Sequence, residues 1–215
     1  METPIKPSVV TGAGRCGTSA FMRFIIAAKG PESVITRKRL PANATFTYTE
    51  GFNAGYEYTL NLESSDEEFQ CAPKFIKDPR FCVTIRGLIE KNKVIPEHLF
   101  ILIRDYKKSA RSRIKNGLEW NAQGPIRQFD QKYDRLKNQE IFMQRAIGYL
   151  INTVAMFDVP HTIISFPRFV KDKDYFYNKL KGTTLDPLDY DFDKAYKIFD
   201  RPGLFMREAR QIEEK

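Results

Sequence analysis

The chain has 215 residues, which suits one domain, and 42% of them are hydrophobic, enough for a real core. Charged residues make up 29% and the net charge is +8, a balance that argues against disorder except at the ends and suits an anionic ligand, an acidic acceptor or nucleic acid without choosing among them. The three cysteines, Cys16, Cys71 and Cys82, lack metal-site spacing and make an odd count, which disfavours a disulfide framework and points to a reducing compartment.

In chain order, the first apolar run is near 8–11 and reads as a buried strand. It runs into Thr11-Gly12-Ala13-Gly14-Arg15-Cys16-Gly17-Thr18-Ser19, and then Ala20, Phe21, Phe24, Ile25 and Ala28 repeat at helical spacing. Strand, glycine turn and helix start are the parts of an anion cradle: glycines let the backbone approach a ligand, successive N–H groups form a nest, and the helix N-terminus adds a partial positive charge. The nucleotide-triphosphatase loop has the form G-x-x-x-x-G-K-S/T. Gly12, Gly17 and Ser19 keep that spacing, but Thr18 stands at the lysine position and the basic residue is Arg15, inside the loop. A displaced cation on an intact backbone cradle implies a different anionic donor.

A weaker fifth strand is expected near Val34-Ile35-Thr36. Residues 37–70 are rich in Thr, Tyr, Asn and Glu, with Phe46, Tyr48, Phe52, Tyr56 and Tyr58, and read as an irregular or β-rich insertion. Its aromatics either stack on an acceptor or pack on one another. Strands are expected near 74–77, 98–104 and 161–166, with Asp105 placed to cap the helix after the third apolar run. On that helix Lys107, Lys108, Arg111 and Arg113 are either a solvated face or ligand contacts. A long helical pattern covers about 126–157, with a break near Asn138. His98 and His161, beside apolar strands, read as structural strand-edge residues, and with only two histidines a histidine metal site is not expected.

Strands alternating with helices predict an α/β fold: three layers, α/β/α, around a mostly parallel sheet of four or five strands with right-handed crossovers. Ligands in such sheets bind beyond the C-terminal strand ends. The glycine turn, Lys77-Asp78 and Arg104 all fall at such ends, so one site can contain them.

The sequence resembles the sulfotransferases of the P-loop superfamily that use 3′-phosphoadenosine 5′-phosphosulfate (PAPS). Gly14-Arg15-Cys16-Gly17-Thr18-Ser19 is similar to the family's 5′-phosphosulfate loop, except that Cys16 stands where serine or threonine is common. Leu99-Phe100-Ile101-Leu102-Ile103-Arg104, with Ser112 eight residues on, resembles the strand, arginine and serine that hold the donor's 3′-phosphate. Lys74-Phe75-Ile76-Lys77-Asp78-Pro79-Arg80 looks like the family's acceptor-side strand end, and Arg201-Pro202-Gly203 resembles an element that helps bind the 3′-phosphate. The resemblance implies a single sulfotransferase-like domain over 1–215 that transfers a sulfuryl group from PAPS to a hydroxyl or amine, leaving PAP, with no metal. It implies donor contacts from Gly14, Arg15, Cys16, Gly17, Thr18, Ser19, Arg104, Ser112 and Arg201. Arg15 and Lys77 would steady developing charge, and Glu50 or Asp78 would serve as base, since no histidine lies beside Lys77.

Two other readings compete. A P-loop kinase for a small metabolite fits the strand-turn-helix but lacks the loop lysine. A non-catalytic nucleotide- or nucleic-acid-binding relative fits the net charge, although the basic residues are scattered and nucleic acid is disfavoured. No apolar run approaches bilayer-spanning length and the first residues are no signal peptide, so a soluble, cytoplasmic protein is expected.

Overall fold

A computed structural model of the chain describes residues 3–34, 58, 60–117 and 135–200. Four strands, β1 (Ser8–Thr11), β2 (Phe75–Lys77), β3 (His98–Ile103) and β4 (His161–Ser165), form one sheet in the order β2-β1-β3-β4. Every pair is parallel, with Val10 opposite Lys77 and Phe100, and Ile103 opposite Ser165. The helices are α1 (Thr18–Lys29), α2 (Asp66–Gln70), α3 (Phe81–Glu90), α4 (Tyr106–Lys115), α5 (Arg135–Met156), α6 (Arg168–Lys171), α7 (Lys173–Leu180) and α8 (Phe192–Tyr196). This is the expected three-layer α/β/α arrangement.

The layers follow from the two-residue period of a strand, which sends alternate side chains to opposite faces. Val9, Ile76, Leu99 and Ile101 pack with α3, α4 and α5 through Phe81, Ile85, Leu88, Ala110, Met143 and Leu150. Val10, Phe75, Phe100, Leu102 and Ile164 pack on the other face with α1, α6, α7 and α8. That second core is largely aromatic: Phe24 lies 4.7 Å from Phe176 and 5.7 Å from Phe192 between ring centroids, and stacks on Phe199 at 6.0 Å. Each fully buried ring contributes roughly 1.5–3 kcal/mol of transfer free energy.

Several helix starts carry side-chain caps, the expected one at α4 among them. Asp105 caps α4 by accepting from Lys108 N at 2.8 Å, and Ser65 and Glu68 form a capping box on α2. Two expectations change. Val34 closes the 3₁₀ turn Pro31–Ser33 rather than entering a strand, and Ile35 and Thr36 lie outside the described residues. The break near Asn138 is absent: α5 runs unbroken from Arg135, because partly buried Leu136 and then Gln139, Met143, Ala146, Ile147, Leu150 and Val154 keep one stripe against the core on both sides of that point. Residues 126–134 and most of the 37–70 insertion lie outside the described residues; Tyr58, Leu60 and Phe69 from its end are buried in the core beside α3.

The fold makes one crevice by topology. β1 and β3 are neighbours, yet α1, which follows β1, and α4, which follows β3, pack on opposite faces. Their connections therefore part at the C-terminal edge, which is where open parallel sheets bind ligands.

Candidate functional site

The β1–α1 turn forms one wall of this crevice. Its backbone is left-handed at Gly14 (φ 80°), Arg15 (φ 56°) and Gly17 (φ 92°). Gly12 is fixed by crowding as well: a β-carbon there would stand 2.5 Å from the Leu102 carbonyl oxygen and 2.6 Å from Cys16 Sγ. β1 can reach β3 this closely only because Gly12 has no side chain. Gly17 starts α1 with no side-chain cap, so the first-turn N–H groups of α1 have no side-chain acceptor from that residue.

The facing wall is the end of β3 and the first turns of α4. Arg104 Nη1 donates to the Arg15 carbonyl at 3.2 Å, and its guanidinium lies 5.2 Å from the Phe166 ring centroid. Arg15 Nε donates to Ser112 Oγ at 3.0 Å. The turn and the arginine-serine pair, 97 residues apart between Arg15 and Ser112, are thus in direct contact. From the other side β2 delivers Lys77, 1% exposed, whose Nζ donates to Ser19 Oγ at 3.0 Å in the first turn of α1. An ammonium supplied by a neighbouring strand stands beside the helix start, although the turn's own lysine position holds Thr18.

The remaining candidates are placed as follows. Thr18 is buried in the first turn of α1. Asp78 is 1% exposed; its Oδ1 accepts from Arg80 N at 2.8 Å and lies 3.9 Å from Arg80 Nε, so it closes the turn between β2 and α3. Thr11 Oγ1 donates to the Asp78 carbonyl at 2.9 Å and ties β1 to that turn. Cys16 turns its thiol into the second core, against Gly12, where burial pushes it up to about 11 despite the nearby N–H groups of Gly14 and Cys16. The protonated, enclosed sulfur is inert as a nucleophile. Glu50 and Arg201 lie outside the described residues.

One residue at this site was open in the sequence. Arg113 is 6% exposed, and its Nη1 donates to the Ala13 carbonyl at 3.2 Å. Burial, with the Arg15 charge adding to it, lowers it to about 10, which still leaves it cationic at neutral pH. The available signal was helical spacing: Ser109, Ala110, Ser112 and Arg113 share the buried face of α4, while Lys107, Lys108, Arg111 and Lys115 are exposed. Phe166, whose ring covers Gly17 and Arg104, was likewise read only as the end of a strand.

Among the described residues no three or more His, Cys, Asp or Glu side chains gather as a metal-binding group, and no helix is long and apolar enough to cross a membrane. No protein-family model matches the chain, and no curated protein matches it.

Proposed function

We propose that the protein is a PAPS-dependent sulfotransferase that moves a sulfuryl group to a hydroxyl or amine acceptor. The observation that carries this reading is the contact between its two donor-binding halves: Arg15 of the glycine turn bonds Ser112, and Arg104 bonds the turn's backbone. Three cations, Arg15, Arg104 and Lys77, gather at the turn and the start of α1, which supports a ligand with more than one phosphate group.

When bound, the donor supplies an activated sulfuryl group on its 5′-phosphate. Arg104 and Ser112 would hold the 3′-phosphate through a planar fork and a hydroxyl. The first-turn N–H groups of α1, with Thr18 and Ser19, would hold the 5′-phosphate. Lys77, at Ser19, is the cation set at the start of α1, and Arg15 adds charge from the α4 side. Fixed cations of this kind stabilise charge that grows on a leaving oxygen, and a guanidinium does so electrostatically, without giving up a proton. Asp78 is held oriented by Arg80 at the end of β2, and with Glu50 it is the carboxylate assigned to take the acceptor's proton.

The test is a thermal-shift and calorimetric comparison of adenosine 3′,5′-bisphosphate with adenosine 5′-monophosphate. The bisphosphate binds more tightly to the wild type, and Arg104→Ala reduces that preference by roughly tenfold or more, as expected for loss of a charge-assisted contact. No binding of the bisphosphate at millimolar concentration, or equal loss for the two nucleotides, rejects the reading.

A further inference from the structure

Two guanidiniums hold carbonyls of alternate residues in the glycine turn: Arg113 Nη1 bonds Ala13 O and Arg104 Nη1 bonds Arg15 O, each at 3.2 Å. A peptide is planar and trans, so its N–H points away from its C=O. Fixing the carbonyls of Ala13 and Arg15 therefore also fixes the N–H groups of Gly14 and Cys16. Both of those N–H groups approach the Cys16 sulfur, which is lodged against Gly12 on the inner side of the turn. The turn is held between guanidiniums outside and a thiol inside.

We propose that Arg113 is a positioning residue that sets the peptide planes of the β1–α1 turn, and thereby seats the Cys16 sulfur against Gly12 and fixes the shape with which the turn enters α1. Three features set it apart from the exposed cations of α4. It is buried, and it reaches back across 100 residues of sequence to a backbone oxygen. Gly14 is also shaped around it, since a β-carbon at Gly14 would run into Nη1. A lysine has one ammonium and no planar fork, so it can keep the charge but not the geometry. Arg113 touches no reacting atom in this role; it acts through Ala13. The clamp stands on contacts within the turn, and only its effect on nucleotide binding rests on the donor reading above.

The test reads the turn without a ligand, by the rate at which iodoacetamide alkylates each cysteine of the folded protein, resolved by mass spectrometry. Cys71, buried at the end of α2, is the internal reference. Arg113→Gln is expected to speed alkylation of Cys16 by about tenfold or more with Cys71 within about twofold, the mark of local rather than global opening. Gly14→Ala pushes on the same contact from the turn and gives the same pattern even where Arg113→Gln folds poorly, and Arg113→Lys falls between. The double variant Arg113→Gln/Gly14→Ala is no faster at Cys16 than the faster single variant, as expected for residues sharing one contact. Equal acceleration at Cys71, or no acceleration at Cys16 in any variant, overturns the clamp.

A second arm measures nucleotides. Arg113→Gln weakens adenosine 5′-monophosphate and the 3′,5′-bisphosphate by the same factor and leaves adenosine 3′-monophosphate unchanged, whereas a general loss of structure weakens all three. A wild type that binds no nucleotide rejects the donor reading, and the alkylation rates still decide the clamp.

Discussion

A lysine with 1% of its surface exposed must have its ammonium solvated by protein, and Lys77 finds Ser19 for this at the start of α1. Burial of a charge beside a helix N-terminus, which already carries partial positive charge, is unfavourable for the apo protein. Such a cost is expected where an anion is to be met. Lys77→Met removes the cation beside the positive end of α1, which should leave stability unchanged or raise it. The same change should lower turnover by ~10²–10³-fold, the usual scale for losing one fixed charge-stabilising donor. Melting temperature and kcat at saturating donor check the two halves; a stability loss with unchanged turnover would make Lys77 purely structural. Strand position nominated Arg104, and the family resemblance nominated Lys77 and Ser112. Neither was enough for Cys16 or Arg113. The resemblance put a donor contact at Cys16, whereas its sulfur is buried in the second core. Arg113 sits on a helix where cations fill five of ten positions, so charge content hid the one that points inward.

At the scale of elements, the legible parts were those with one-dimensional signatures. Strands buried on two faces in a parallel sheet read as continuous apolar runs, so β1, β2 and β3 were visible directly. β4 is an edge strand in which only Ile164 is buried, and it was found because its apolar run survives there. Strand order was not legible, because register and neighbour choice depend on contacts between distant segments. The expected break in α5 failed because one asparagine costs a helix only a fraction of a kcal/mol, less than its buried stripe returns. The aromatic core of α1 separates fold from site. Phe24 touches Phe176, Phe192 and Phe199 and has no part in the crevice. Phe24→Ala should cost about 3–5 kcal/mol, or roughly 6–20 °C in melting temperature for a chain this long. Bisphosphate affinity measured well below that temperature should be unchanged. A parallel loss of affinity would mean that α1 transmits core packing to the turn at its N-terminus.

For the molecule as a whole, the two ends of the sheet have opposite electrostatic roles. The C-terminal edge gathers the cations Arg15, Lys77, Arg104 and Arg113, while the N-terminal edge keeps an imidazole neutral. His98, at the start of β3, is 8% exposed, contacts Thr162 Oγ1 through Nε2 at 2.9 Å, and lies 4.7 Å from the Phe100 ring. Burial, with the His161 imidazole adding to it, lowers His98 from 6.5 to about 4. The unfolded chain then binds a proton near pH 6.5 that the folded protein refuses until about pH 4, so the unfolded state holds more protons in between. Stability is full above the unfolded value and falls as pH drops through that window, with a limiting slope of ~1.4 kcal/mol per pH unit for one proton. Carboxylates held low in the fold, such as Asp172 and Asp186, act through the same linkage but only below the ordinary carboxylate range, so the upper part of the window belongs to histidine. Growing net positive charge also opposes folding in acid. Folded His98 stays neutral down to about pH 4, so at pH 5 and above that contribution is nearly common to wild type and a His98→Asn variant and cancels in their difference. Denaturant unfolding at pH 7 and pH 5 should show the wild type losing more stability between the two than His98→Asn does. Identical losses would place the imidazole in contact with water and remove this edge of the sheet from the protein's acid response.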